Sequence, residues 1–288
     1  MQRRNTVVLG LLAGALAWSG PARAEDHPAL RHDWSLDLSV TSLATGALLV
    51  TEVSMKSAIA PKACGWCEPP GIDTSVRDAL GWGKGAKTAD VLSTLLVVAI
   101  PAAGITANGL AANAEGSLGR DVGVDAMVVV ETVSVALATD QLVKFTVGRQ
   151  RPDVHFRSPE ERARLENPDD NLSFYSGHTT FAFSAATAAG MVASMRGYRI
   201  APYVWGAGMT LAATTGYLRI AADRHYFTDV MLGAALGVGY GIAIPALFHG
   251  PRRESAPTAT AAAASPLETA KLGVVPGPAP MIGFSGLW

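Results

Sequence analysis

Charge is scarce in this chain, and neither sign predominates. Only 16% of the residues are Asp, Glu, Lys or Arg, and 23 basic side chains face 24 acidic ones. The basic stripe that nucleic-acid binding depends on is missing, so no nucleic-acid partner is expected. Repeats of solenoid period are missing too, which excludes a stacked repeat array. Cysteine is limited to Cys64 and Cys67. A Cys-x-x-Cys pair can be a disulfide, a redox site or half of a zinc site. No second pair of zinc ligands stands nearby, and the surrounding chain lacks the strand-helix-strand pattern of a thioredoxin-like fold. A small structural disulfide that ties down the Gly- and Pro-rich stretch around it is the favoured reading.

The N-terminus supplies the compartment for that bond. Arg3 and Arg4 precede an apolar run from Val7 to Trp18, and Ala22-Arg23-Ala24 fits a signal-peptidase site. Residues 1–24 read as a signal peptide or, if uncleaved, a signal anchor, and the chain as exported to the cell envelope, where disulfides persist. Residues 25–90 read as an exported N-terminal region with a helical stretch near 38–58 and the Cys-x-x-Cys loop. At the other end, 251–288 reads as a flexible Ala/Pro-rich tail, although Met281 to Trp288 are apolar enough to dock.

What the chain has in quantity is apolar helix. Apolar residues make up 49%, high for a soluble protein. They concentrate in runs near 90–110, 122–146, 178–195, 201–221 and 227–248, each close to the ~20 residues that span a bilayer. A polar loop, 152–175, separates the second run from the third. The expected fold class is all-α.

Against this background three short segments stand out: Lys144-x6-Arg151-Pro152, Ser176-Gly177-His178 and Arg219-x5-His225-x3-Asp229. Together they bring three cations, two histidines, a carboxylate and a glycine turn to an apolar chain. That set suits phosphoryl transfer, in which charge on three non-bridging oxygens must be positioned and stabilised. Lys144, Arg151 and Arg219 can each neutralise one oxygen. Other polar groups have blander readings. His155 and His249 read as packed or capping histidines, and Arg149 and Arg224 as bystanders. A Lys144–Asp140 contact one helical turn apart would contribute only ~0.3–0.5 kcal/mol at a surface.

In order and spacing the segments KFTVGRQRP, FYSGH and LRIAADRHYFTD resemble the PAP2 (phosphatidic acid phosphatase type 2) superfamily. Its pattern reads K-x6-R-P, P-S-G-H and S-R-x5-H-x3-D, and it also includes periplasmic acid phosphatases and vanadium haloperoxidases. The resemblance covers roughly residues 85–250 and departs at Tyr175, where the family has Pro, and at Leu218, where it has Ser. It implies a phosphatase domain over 91–250, built as a PAP2-type helical bundle. It also implies His225 as a nucleophile that forms a phosphohistidine, with Asp229, one turn later, holding its tautomer. His178 is then the general acid and base. Lys144, Arg151, Arg219, Ser176 and Gly177 hold the phosphate, the last two at a helix N-terminus. No metal and no other cofactor is called for. The implied substrate is a phosphomonoester or diphosphate, of a lipid or a small phosphoester. A vanadate-dependent haloperoxidase and an inert phosphate-binding membrane protein are the remaining alternatives.

Alternating the five runs across a membrane places residues 25–90, the 152–175 loop and the Arg219–Asp229 turn on one side. The opposite side receives Arg120, the Arg196–Arg199 turn and Arg252-Arg253, a positive-inside pattern. Glu131, Asp140 and Arg219 within the runs, and their content of Ala, Gly and Thr, argue instead for a soluble bundle. A membrane-embedded bundle with its site facing the periplasm is the favoured expectation, and a soluble periplasmic acid phosphatase is the alternative.

Overall fold

Helix starts and stops follow local chemistry. Asp33 accepts the Ser35 and Leu36 amides at 3.0 and 3.2 Å, satisfying donors that a helix N-terminus leaves free. It opens α1, Trp34–Ile59, which contains a π-helical turn at Val50–Met55. The computed structural model describes residues 27–162, 167–252, 271–275 and 281–285; the leader expected at 1–24 and most of the 251–288 tail lie outside them. Next come α2 (Gly71–Leu80), α3 (Ala86–Ala114), α4 (Leu118–Val147), α5 (Pro152–His155), α6 (Pro159–Arg162), α7 (Gly177–Arg196), α8 (Ala201–Ala221) and α9 (Phe227–Phe248). Gly148 and Gly197 end α4 and α7 at φ 61° and 74°, a left-handed turn that glycine adopts without penalty.

At the centre stands α7, which packs against α3, α4, α8 and α9. Its sequence is mostly Ala, Ser, Thr and Gly, because neighbours approach on several sides. On α9 the stripe Gly233, Gly237, Gly241 faces it. A Cβ at Gly233 would lie 2.8 Å from the Ser176 carbonyl oxygen, and one at Gly237 2.8 Å from that of Thr180. Small residues spaced four apart allow this backbone contact.

Among the described residues four helices, α1, α3, α4 and α9, are long and apolar enough to cross a membrane. Their outward side chains, among them Leu43, Val53, Leu95, Val98, Leu142 and Leu247, are exposed, as hydrocarbon contact requires. The sequence reading differs in two places. It left α1 within an exported region, whereas α1 packs along α4 and residues 27–252 belong to one unit. It also gives α7 and α8 the same apolar character as the other runs, whereas both are less apolar than those four helices and α7 is largely buried among its neighbours.

The ionisable residues that argued against a membrane are paired. Arg196 binds Asp125 at 2.7 Å and Asp121 at 3.0 Å, and Tyr198 donates to Asp125 at 3.0 Å. Glu131 meets His249 at 3.1 Å. Breaking a buried pair by removing one partner typically costs about 3–5 kcal/mol, so these pairs hold the end of the bundle where α1 begins and α9 finishes. Beyond Arg252 the described tail residues are two strands, β1 (Lys271–Val275) and β2 (Met281–Ser285), paired antiparallel from Lys271↔Ser285 to Val275↔Met281; no strand was expected there.

Candidate active site

The helix termini remote from the Arg196 cluster converge: the C-terminal ends of α1, α4 and α8 and the N-terminal ends of α3, α7 and α9. Between them lies a cavity of about 430 Å³ whose wall includes Lys144, Arg151, Gly177, His178, Arg219 and His225. These come from all three sequence segments. Leu48, Val97, Leu137 and Phe181 form an apolar flank of the same cavity.

His225 sits in the turn between α8 and α9, buried. Its Nδ1 lies 2.8 Å from the Ser173 carbonyl oxygen, an acceptor only, so the proton sits on Nδ1 and Nε2 is unprotonated. Nε2 points toward the cations, 3.4 Å from Arg151 Nη1. Burial, together with the charges of Arg151, Arg219 and Lys144, pushes the His225 pKa well below its ordinary value. A neutral imidazole with a bare Nε2 among cations is what a nitrogen nucleophile needs. His178, at the start of α7, lies across the cavity with Nε2 3.3 Å from Thr94 Oγ1.

Each cation is held by its own carboxylate or carbonyl. Lys144 contacts Asp140 at 2.7 Å; this is the pair considered from sequence as a surface contact, but Asp140 is buried. Arg219 donates to Asp90 at 2.5 Å and to Ser93 at 2.9 Å. Its Nε is buried with no hydrogen-bond partner among the described residues. Arg151 donates to the backbone carbonyls of Asp169 at 2.8 Å and Arg224 at 3.1 Å. Burial raises the Asp169 carboxyl, but Arg151 and Lys56 beside it hold it below its ordinary value, so it stays charged. Cations fixed in this way cost little reorganisation when an anion arrives. Gly177 makes room for one of them: a Cβ there would lie 2.7 Å from Lys144 Nζ and 2.8 Å from Asp140 Oδ2.

Four residues are placed differently from their sequence reading. The Ser176 hydroxyl is buried against Thr179 Oγ1 at 2.9 Å and does not line the cavity. Asp229 is 3.7 Å from His225 Nδ1, because as the N3 residue of a capping box it accepts the Tyr226 amide at 3.0 Å. It also accepts the Ser173 hydroxyl at 2.6 Å. The hydrogen bond that orients the ring therefore goes to the Ser173 backbone, with Asp229 behind it. Arg149, read as a bystander, is buried between Asp229 and Asp73, with Trp66 and Tyr226 on its guanidinium at 3.8 and 4.3 Å. Arg224, the other presumed bystander, lines the cavity and reaches Asp90 and Asp153, each at 3.4 Å. Ser173, Asp90 and Asp73 carried no sequence signal.

Residues 125–253 match the family model of the PAP2 superfamily. The match covers a little under half of the chain. A lipid A 1-phosphatase from Porphyromonas gingivalis is 36% identical over 98 residues, 34% of this chain and only 18% of that protein's length. Among solved structures, a transmembrane PAP2-type phosphatidylglycerolphosphate phosphatase from Bacillus subtilis aligns over 72% of this chain and 93% of its own, at 14% identity and a TM-score of 0.42. The PAP2 match begins within α4, which leaves α1, α2 and α3 outside it although they wall the cavity or pack against its loops. Where the PAP2 pattern has Ser, Leu218 is buried with Ala89, Ala221 and Ala222 and does not line the cavity. Where it has Pro, Tyr175 is buried with its hydroxyl unpaired among the described residues.

Proposed function

We propose that this chain is a PAP2-superfamily phosphatase that removes a phosphoryl group from a lipid phosphomonoester or diphosphate through a phosphohistidine on His225. In the first step His225 Nε2 attacks phosphorus, the P–O bond to the leaving group breaks, and His178 gives its proton to the departing oxygen. In the second, water attacks phosphorus, His178 takes its proton, the P–N bond breaks and inorganic phosphate leaves. Lys144, Arg151 and Arg219 stabilise the equatorial oxygens throughout. The observation that carries the reading is the bare, neutral His225 Nε2 facing three fixed cations in one cavity. The apolar flank favours a lipid: Leu48 and Val97 belong to α1 and α3, whose outer faces carry exposed apolar side chains. A panel of phosphatidate, phosphatidylglycerol phosphate, lipid A and small aryl esters tests it. The lipid reading fails if only the small esters turn over.

We further propose that the cavity opens on the exported face. The Cys64–Cys67 disulfide packs at the cavity end, where the Gly65 amide meets the Gly148 carbonyl, and disulfides persist outside the cytoplasm, whereas the far end carries Arg196 and Arg199. Because α1 begins at that far end and finishes beside the cavity, this orientation keeps residues 27–33 in the cytoplasm. An exported leader cleaved just ahead of them is incompatible with it. Reporters fused within 152–162 are expected to read as exported, and those at Arg199 or His32 as cytoplasmic. An exported signal at His32 would reverse the orientation or show that α1 does not span.

Gly177→Ala tests the cavity's geometry. The new methyl must displace Lys144 Nζ or the Asp140 carboxylate, so KM for an aryl phosphate and the inhibition constant of vanadate should both rise by about tenfold (roughly one lost charged contact). Unchanged vanadate inhibition would remove Lys144 from the phosphate site.

A further inference from the structure

The short helix α2 lies outside the PAP2-matched residues, yet it grips the turn that carries His225 on both sides. Asp73 and Arg77 stand one helical turn apart on α2 and so share a face. Asp73 is fully buried. It accepts the Thr228 amide at 2.8 Å and the Thr228 hydroxyl at 2.7 Å, which caps the first turn of α9 from outside that helix. The same carboxylate takes Arg149 Nη2 at 2.6 Å, and Arg149 in turn binds Asp229. Upstream of His225, Arg77 grips Asp223 with two parallel bonds of 2.6 and 2.7 Å. Asp223 has φ 58°, a conformation that an aspartate holds at a cost and that needs outside support. Just beyond α2, the Trp82 amide donates to the Ala221 carbonyl at 3.0 Å.

The disulfide turn completes the arrangement. Cys64 and Cys67 are bonded, and between them the Gly65 amide donates to the Gly148 carbonyl at 2.8 Å while the Trp66 carbonyl accepts from Gln150 at 3.1 Å. Trp66 thus covers Arg149, whose own carbonyl accepts the Ser173 amide at 2.9 Å. Ser173 is the residue whose carbonyl holds His225 Nδ1.

We propose that α2 is a clamp on the nucleophile turn, with Asp73 and Arg77 as positioning residues that keep His225 Nε2 aimed at the phosphate site. Neither residue lines the cavity or touches Lys144, Arg151 or Arg219. Their loss should therefore slow phosphorylation without loosening phosphate binding. The proposal rests on the phosphatase reading above, so its test needs one readout that does not depend on turnover.

The experiment uses the full chain in detergent, with Asp73→Asn, Arg77→Met and Arg77→Lys beside the wild type. Arg77 is partly exposed, so its variants stay informative if Asp73→Asn does not fold. Asp73→Asn and Arg77→Met should lower kcat by about 10- to 100-fold, the scale of a misplaced reacting group, with KM and the inhibition constant of inorganic phosphate within about twofold. Arg77→Lys should restore part of the loss. In 15N-histidine spectra the His225 ring, a single Nδ1-protonated tautomer in the wild type, should become a mixture in both disabling variants. The clamp is refuted if the folded variants keep wild-type kcat and a single tautomer, or if KM and inhibition by inorganic phosphate worsen as much as kcat. An inactive wild type would sink the phosphatase reading, and the tautomer spectra would then decide the clamp alone.

Discussion

His225→Ala is expected to lose turnover by about 10⁴-fold or more, the scale seen when a nucleophile is deleted from a two-step mechanism. Nothing else in the cavity can replace it. His178 and the Thr94 hydroxyl are held toward each other, the Gln141 amide donates to Glu52, and the other polar groups are cations or carboxylates engaged with one another. His178→Ala should behave differently. With an aryl phosphate, whose leaving group needs no proton, phosphorylation of His225 should continue, whereas hydrolysis of an alkyl or lipid phosphate should nearly stop. Rapid-quench trapping of an acid-labile phosphoenzyme separates the two steps. A His225→Ala protein that still forms such an intermediate would place the nucleophile elsewhere.

The second large effect concerns charge. Arg151→Ala or Arg219→Ala should each lower kcat by about 10²–10³-fold, the usual cost of removing one preorganised group that stabilises a transition-state oxygen. Vanadate, which takes the trigonal-bipyramidal shape of the transition state, should lose inhibition in proportion. Chelators should leave the wild type unchanged, and activity restored to a chelated sample by magnesium or zinc would overturn a purely side-chain cage. Arg151 also acts on His225. Because burial and then the Arg151 charge keep the His225 pKa well below its ordinary value, the ring stays neutral through the ordinary histidine range, and the wild-type rate should not show its protonation there. Removing that charge raises the His225 pKa toward its ordinary value, so in Arg151→Ala the acid limb of kcat/KM should move to higher pH. An unmoved acid limb would mean that Arg151 does not reach His225 electrostatically.

How much of this was legible in the sequence depended on distance along the chain. Lys144 and Arg151 are seven residues apart, as are Gly177 and Ser184 on α7, but only the former pair has residue types that are conspicuous in an apolar chain. Arg149 looked ordinary because its partners, Asp73 and Asp229, lie 76 and 80 residues away. Asp229 was read from its spacing as the partner of His225. Its place in the first turn of α9 draws the carboxylate to the Tyr226 amide, and the nearer acceptor is a backbone carbonyl that no residue type reveals. Helix α1 went unrecognised as a span because Ser, Thr and Glu52 interrupt it, and only its position beside α4 shows which face those groups turn inward.

From the sequence alone came the all-α class, the apolar character of the helices and the identity of the charged and imidazole groups, because these depend on residue type and short-range periodicity. The tertiary structure decided which groups share a cavity, which carboxylate holds which cation, that the ring of His225 leans on Ser173, and that a helix outside the PAP2 match braces its turn. Those are relations between segments far apart in the chain. They are set by how helix ends meet when the small-residue faces of α7 and α9 close on each other, which no local pattern encodes.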